Sequence, residues 1–243
     1  MEKREQEPMP FLQLVPNLVT IAALCLGLTA IRFAMVGRFE LAVSLILLAA
    51  LLDGLDGLIA RRLRATSDFG AELDSLSDFL NFGVAPGLLV YRFALGEANS
   101  LGWIFVLIYA VAGCLRLARF NVMRGAPETS SKHFVGVPAP AGAMLALFPV
   151  FLSLSGLVPA QEAPMIVAIW LGVVGVLMIS RLPTFSPKAL RIPRGRVGLI
   201  LIGTAIAMGI LFTRFWMLMV LVDLAYLAAL LPAVWRARRQ LLR

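Results

Sequence analysis

Residues Asp53 to Asp78 read DGLDGLIARRLRATSDFGAELDSLSD, with apolar runs on both sides, FELAVSLILLAALL before (39–52) and FLNFGVAPGLLVYRFAL after (79–95). The stretch puts Asp53, Asp56, Asp74 and Asp78 at the ends of two otherwise oily helices, where uncompensated carboxylates are costly. Four such acids in one short segment need a chemical reason.

The whole chain shares the oily character. It is 60% hydrophobic and 15% charged, against about 25% charged residues in soluble domains. It reads as an all-α polytopic membrane protein, a single integral membrane domain over residues 1–243. A spanning helix needs roughly 20 mostly apolar residues. By that measure the stretches 16–36, 40–60, 70–94, 100–121, 138–156, 164–181, 197–213 and 215–234 are candidate transmembrane helices, about eight in all. Breakers such as Val36-Gly37-Arg38 and Gly96-Glu97-Ala98-Asn99-Ser100 separate them. The last two spans are joined almost without a loop. The first apolar run continues from Pro16 to about Met35 with no small-residue cleavage site, so it is expected to stay as a span. Cys25 and Cys114 lie far apart inside apolar runs and read as small core residues, not as a disulfide or thiolate site.

The net charge of +8 does not point to nucleic acid, because the basic residues sit in short loops with no aromatic-interleaved groove. Lys and Arg in short loops are retained in the cytoplasm. Lys3 and Arg4, Arg61, Arg62 and Arg64, Arg119, Arg124 and Lys132, the group from Arg181 to Arg196, and Arg236 to Arg243 fall on one side; Arg32, Arg38, Arg92 and Arg214 fall on the other. This asymmetry predicts an even number of spans, both termini inside, and the acidic stretch at the cytoplasmic face. The segment 181–196 carries Pro183, Pro187 and Pro193 among basic residues. It reads as a non-helical loop that meets anionic lipid headgroups.

Asp53 and Asp56 are three apart, and Asp74 and Asp78 four apart, so each pair shares a helix face. The connection between them is short, which aims both faces at one point. Four carboxylates there repel one another, and divalent cations remove the repulsion; hard oxygen ligands suit Mg2+ or Mn2+, and two ions balance four charges. A pair of ions about 3.5–4 Å apart is the usual clamp for phosphoryl chemistry. Gly57, Ala60 and Gly70 leave backbone exposed beside the acids for a bulky anion, whereas Gly83 and Gly87 read as a packing seam between helices. Arg61 fits a phosphate clamp. Thr66 and Ser67 are candidate caps for the third helix, with Asp68 near its positive end, and Ser67 could equally donate to a phosphate.

Written with its gaps, the stretch is D-x-x-D-G-x-x-A-R, eight residues, then G-x-x-x-D-x-x-x-D, and it resembles the signature of the CDP-alcohol phosphatidyltransferases at Asp53, Asp56, Gly57, Ala60, Arg61, Gly70, Asp74 and Asp78. Pro16-Asn17-Leu18-Val19-Thr20 looks like the family's motif at the head of the first span. The longer string FGAELDSLSDFLNFGVAP (69–86), with RLARFN (116–121) and FVGVPAPAG (134–142), is similar to bacterial members that use serine. The resemblance implies a six-helix core over about residues 12–182, with two added helices at about 197–234. It further implies a cytosol-facing cavity in the bacterial cytoplasmic membrane, where CDP-diacylglycerol meets L-serine, and a homodimer. Asp53, Asp56 and Asp74 would bind a first metal, and Asp53, Asp74 and Asp78 a second, with Asp78 also the base. Asn17, Thr20, Gly57, Ala60, Arg61, Ser67 and Gly70 would surround the nucleotide and its diphosphate.

The acceptor pocket is less defined. Arg116 and Arg119, three apart, are candidates for the serine carboxylate, with Arg116 alternatively pairing with a motif aspartate; Glu72 and Asn81 are candidates for the ammonium. Other acceptors (glycerol 3-phosphate, inositol phosphate or choline) would keep the same chemistry. An intramembrane prenyltransferase also binds diphosphate through aspartates but does not require a base four residues after the last ligand. A cation transporter would spread its acids through the membrane depth. His133 reads as solvated, and Asp223 stands alone in the last span.

Overall fold

The computed structural model describes residues 14–63, 67–96, 100–124, 136–180 and 197–241. His133, Thr66 and the segment 181–196 lie outside them. The described residues form eight long helical elements and no strand. They are α1 (Val15–Met35), α2 (Phe39–Leu63), α3 (68–95), α4 (Ser100–Arg124), α5 (Ala139–Leu154), α6 (Pro164–Ile179), α7 (Val197–Thr213) and α8 (Phe215–Leu241). Val15–Met35, Phe39–Leu63 and Leu101–Met123 are long and apolar enough to cross a membrane, and shorter apolar helices follow at Ala139–Leu154, Pro164–Ile179, Ile202–Thr213 and Phe215–Leu231. The polytopic all-α expectation therefore holds. Large apolar side chains such as Leu18, Leu28, Ile104, Ile166 and Phe212 face outward, as a lipid surroundings requires. Cys25 and Cys114 are also exposed, not small core residues as expected, because each falls on the outward face of its helix.

The most extensive pairing is between α1 and α2. Small residues contribute to it: Thr20, Ala23, Ala30 and Ala34 are buried on α1 and Ala42, Val43, Ile46 and Ala49 on α2, while Gly27 in the same row of α1 faces Leu80 and Asn81 of α3. Small side chains at this spacing let two backbones approach closely in the membrane. The α4–α6 pairing is tight for the same reason, since a Cβ on Gly175 would lie 3.3 Å from the Cα of Tyr109.

Helix α3 runs through the middle of the bundle and is not uniform. It is α-helical over Asp68–Asp78 and Ala85–Val90 and π-helical over Phe79–Val84 and Tyr91–Leu95. Pro86 contributes to this. Proline has no N–H, so the carbonyl of Phe82, four residues earlier, loses its usual helical donor. The buried hydroxyl of Tyr109 on α4 donates to that carbonyl at 2.5 Å. Gly83 lies under the same crossing: a Cβ on Gly113 would be 3.2 Å from the Cα of Gly83, and one on Gly87 3.2 Å from the Tyr109 ring. Gly83 and Gly87 are thus a packing seam.

Tyr109→Phe keeps the ring and removes the donor. It should destabilise the detergent-solubilised protein by about 1–3 kcal/mol, the cost of stranding a buried carbonyl, seen as a lower midpoint in thermal unfolding.

Candidate active site

Asp53 and Asp56 lie in the last three turns of α2, and Asp74 and Asp78 in the opening α-helical part of α3. Ser67 starts α3. Its backbone is extended, and its hydroxyl accepts from the Gly70 N–H at 3.0 Å, so it is the cap. Asp68 follows in the first turn, where a carboxylate complements the positive helix end.

Asp53, Asp56 and Asp74 each offer one carboxylate oxygen, and these oxygens lie within 4.8 Å of one another. An all-oxygen, acidic donor set of this kind suits a hard divalent cation. Asp56 is the most enclosed, at 5% exposure. Its Oδ2 accepts from the Thr20 hydroxyl at 2.7 Å, and the same hydroxyl lies 3.1 Å from the Pro16 carbonyl. Thr20, expected among the nucleotide contacts, thus both lines the cleft and donates to Asp56. Asp78 is outside the close trio but within electrostatic reach of all three. Its Oδ1 is buried with no hydrogen-bond partner.

Beside the trio lies a cleft of about 210 Å3 between the ends of α1, α2 and α3. Asn17, Thr20, Gly57, Ala60, Arg61, Ser67 and Gly70 all line it, with Asp56 and Asp74 at its acidic side. The small residues keep it open. A Cβ on Gly70 would sit 2.8 Å from Asn17 Oδ1 and 3.1 Å from Ser67 Oγ, and one on Gly57 would sit 3.7 Å from the Arg61 guanidinium. The cleft thus offers cation, hydroxyl and amide groups next to a carboxylate trio, an arrangement for a phosphorylated ligand bound through metal.

The four acceptor candidates separate. Arg116 is half-buried on α4, donates its Nε–H to the Val137 carbonyl and lies within electrostatic reach of Asp78. Arg119 is exposed and donates to the Ile179 carbonyl at 3.1 Å. Glu72 is exposed; two residues before Asp74 means about 200° around the helix, which turns it from the acids. Asn81 is buried, donates to Ser77 Oγ at 3.2 Å and directs Oδ1 against Gly27, where a Cβ would collide with it. Its position is that of a helix-packing amide between α3 and α1.

Two positions outside this set matter. Asn121, in RLARFN, accepts from Ser75 Oγ at 3.1 Å and ties α4 to α3 one residue after Asp74. Tyr226, on α8, lies within electrostatic reach of Arg116. The signal that could have found Tyr226 is its place three residues after Asp223, the one acid of an otherwise apolar span.

The family model described as CDP-alcohol phosphatidyltransferase matches residues 13–180. A Mycobacterium leprae protein named CDP-diacylglycerol–serine O-phosphatidyltransferase is 40% identical over 185 residues, 75% of this chain and 61% of that protein. The Mycobacterium tuberculosis (strain H37Rv) protein of the same name is 36% identical over 233 residues, 95% of this chain and 81% of its own length. One from Bacillus subtilis is 38% identical over 130 residues, 54% of this chain and 71% of the relative. The matched segment runs from the head of α1 through α6 and so contains every helix that carries an aspartate of the cluster or a wall of the cleft; the chain belongs to the CDP-alcohol phosphatidyltransferase family.

Proposed function

We propose that the chain transfers the phosphatidyl group of CDP-diacylglycerol to the hydroxyl of L-serine, releasing CMP. The observation that carries this reading is the acid trio set against a cleft walled by cation, hydroxyl and small residues. The choice of serine is supported by the activity that the relatives are named for.

Asp53, Asp56 and Asp74 would hold one divalent cation, Mg2+ or Mn2+, and Asp53, Asp74 and Asp78 would hold a second. When bound, such ions neutralise the diphosphate and stabilise the charge that develops on CMP. Thr20 orients Asp56 for this task through its 2.7 Å bond. Ser67 uses a lone pair on the Gly70 N–H, so its own proton remains to donate to a phosphate oxygen. Arg61, lying over Gly57 at the cleft wall, pairs with a second phosphate oxygen. Gly57, Ala60 and Gly70 let the nucleotide approach backbone.

The serine hydroxyl is a weak nucleophile, and a carboxylate within hydrogen-bond reach must take its proton as the bond to phosphorus forms. Asp78 has that role, and its unpartnered Oδ1 is the atom free to accept. The new bond joins serine oxygen to the phosphorus bearing diacylglycerol, the bond from that phosphorus to the CMP oxygen breaks, and the serine proton resides on Asp78. Arg116, within electrostatic reach of Asp78, attracts the serine carboxylate and so brings the hydroxyl to the base. We place the site at the inner face of the bacterial cytoplasmic membrane, with both termini inside, on the distribution of basic residues. In this reading the basic loops meet anionic lipid and the enzyme is a homodimer.

Purified protein supplied with CDP-diacylglycerol, Mn2+ and a panel of alcohols should release CMP with serine. Release with glycerol 3-phosphate and not serine would reassign the acceptor, and no release with any alcohol would sink the reaction class. Asp78→Asn should lower turnover by at least about a hundredfold, within the usual range for losing a general base, while CDP-diacylglycerol still binds in calorimetry; loss of that binding would make Asp78 a ligand only. Thr20→Val removes the hydroxyl that orients Asp56 and should raise the Mn2+ concentration for half-maximal activity about tenfold or more, as loss of outer-shell partners does. An unchanged metal titration would deny Thr20 that task.

A further inference from the structure

Helix α8 lies beyond the residues matched by the family model, yet it carries two of the least satisfied polar groups among the described residues. Asp223 is 2% exposed. Its Oδ2 and the hydroxyl of Tyr226 are both buried without a hydrogen-bond partner. A buried carboxylate and a buried hydroxyl left in this state each cost free energy. No described cationic side chain offsets Asp223. Nothing in the packing of an apolar helix calls for either group.

Their location connects them with the site. Helix α8 packs on α5, and Trp216 near its start stacks on Phe151 near the far end of α5, with ring centroids 6.4 Å apart. The two helices therefore run in opposite directions. Ten residues after Trp216, about 15 Å along the helix, Tyr226 is level with the beginning of α5. There the Val137 carbonyl holds Arg116. Arg116 and Tyr226 therefore stand at the same end of α5, within electrostatic reach of one another, and Arg116 is also within electrostatic reach of Asp78. Asp223 is one turn deeper on the same face of α8 as Tyr226.

We propose that α8 supplies the acceptor-recognising half of the site: Tyr226 joins Arg116 in holding the carboxylate of the incoming amino acid, and Asp223 receives its ammonium. This rests on the serine reading above and extends it. A β-hydroxy amino acid carries an anion and a cation on one carbon and its hydroxyl one carbon away. Anchoring the anion between Arg116 and Tyr226 and the cation on Asp223 leaves the hydroxyl directed towards Asp78. The same pair of anchors discriminates. Ethanolamine has no carboxylate for Arg116 and Tyr226, 3-hydroxypropanoate has no ammonium for Asp223, and glycerol 3-phosphate brings further negative charge to a carboxylate that already lacks a cation.

The test uses the full chain in detergent with CDP-diacylglycerol and Mn2+, comparing wild type, Tyr226→Phe and Asp223→Asn by CMP release. Both variants should raise KM for serine about tenfold or more, the usual consequence of losing a hydrogen bond to a charged group, with KM for CDP-diacylglycerol changed by less than about twofold. Tyr226→Phe should also narrow the preference for serine over ethanolamine, and Asp223→Asn that over 3-hydroxypropanoate, each by about tenfold. Serine KM values that stay at the wild-type level in both variants overturn the assignment. So does a variant that loses CDP-diacylglycerol binding in calorimetry together with serine use, because that marks a structural role. Wild-type protein that uses glycerol 3-phosphate and not serine overturns the serine reading as well, whereas serine-dependent wild type with unmoved variants overturns this assignment alone.

Discussion

The Thr20 hydroxyl reaches Asp56 over 2.7 Å from one helix to the next, and much of the site depends on that contact. A carboxylate as enclosed as Asp56 has to be hydrogen-bonded or paired. The bond needs α1 and α2 close together, and both bury small residues, Ala23, Ala30 and Ala34 on α1 and Ala42 and Ala49 on α2. Larger residues in that row would push the helices apart and strand Asp56. Close packing of α1 and α2 and orientation of the acid are therefore one constraint. The same constraint sets Asn17 and Pro16, on the turn before Thr20, against the opening of α3.

Helix α3 solves a different problem. Its first half must be polar enough to carry Asp74 and Asp78, and its second half is buried among apolar neighbours. The transition falls on a π-helical segment, and such segments recur at functional positions. The wider turn and Pro86 leave backbone carbonyls that need other donors, and Tyr109 meets that need at Phe82. The acid-bearing half is thus anchored by a hydrogen bond one to two turns below Asp78, while Asn121 ties it to α4 above.

The helices and the acid cluster were legible in the sequence because both rest on local signals. Span length and breaker residues locate α1 to α7 to within about three positions, though α8 continues to Leu241 past the apolar stretch that ends at 234, and three- and four-residue spacings put the acids on common faces. The serine before α3 was legible as a cap for the same reason. Directions of side chains were not. Asn81 and Glu72 stand close to the acids in sequence, but one turns into the α1 contact and the other outward. In helices apolar all round, hydropathy does not say which face is inner, and this also misplaced Cys25 and Cys114. Tyr226 was invisible because its relation to Arg116 spans nearly half of the chain and depends on how α8 docks on α5. The lone acid at Asp223 was a sign without an address.

The docking of α8 on α5 has a consequence for how the protein is made. Chains emerge from the ribosome amino terminus first, and domains form in that order. By the time α6 has been inserted, the aspartates and the cleft beside them have all been synthesised, but the neighbour that α8 provides for Arg116 is still missing. Helix α8, synthesised after α6, brings Tyr226 to that end of α5. A nascent or truncated chain would therefore present a nearly complete acidic centre with one side open to lipid. The polar neighbourhood around Arg116 becomes whole only after α8 has followed α6 into the membrane.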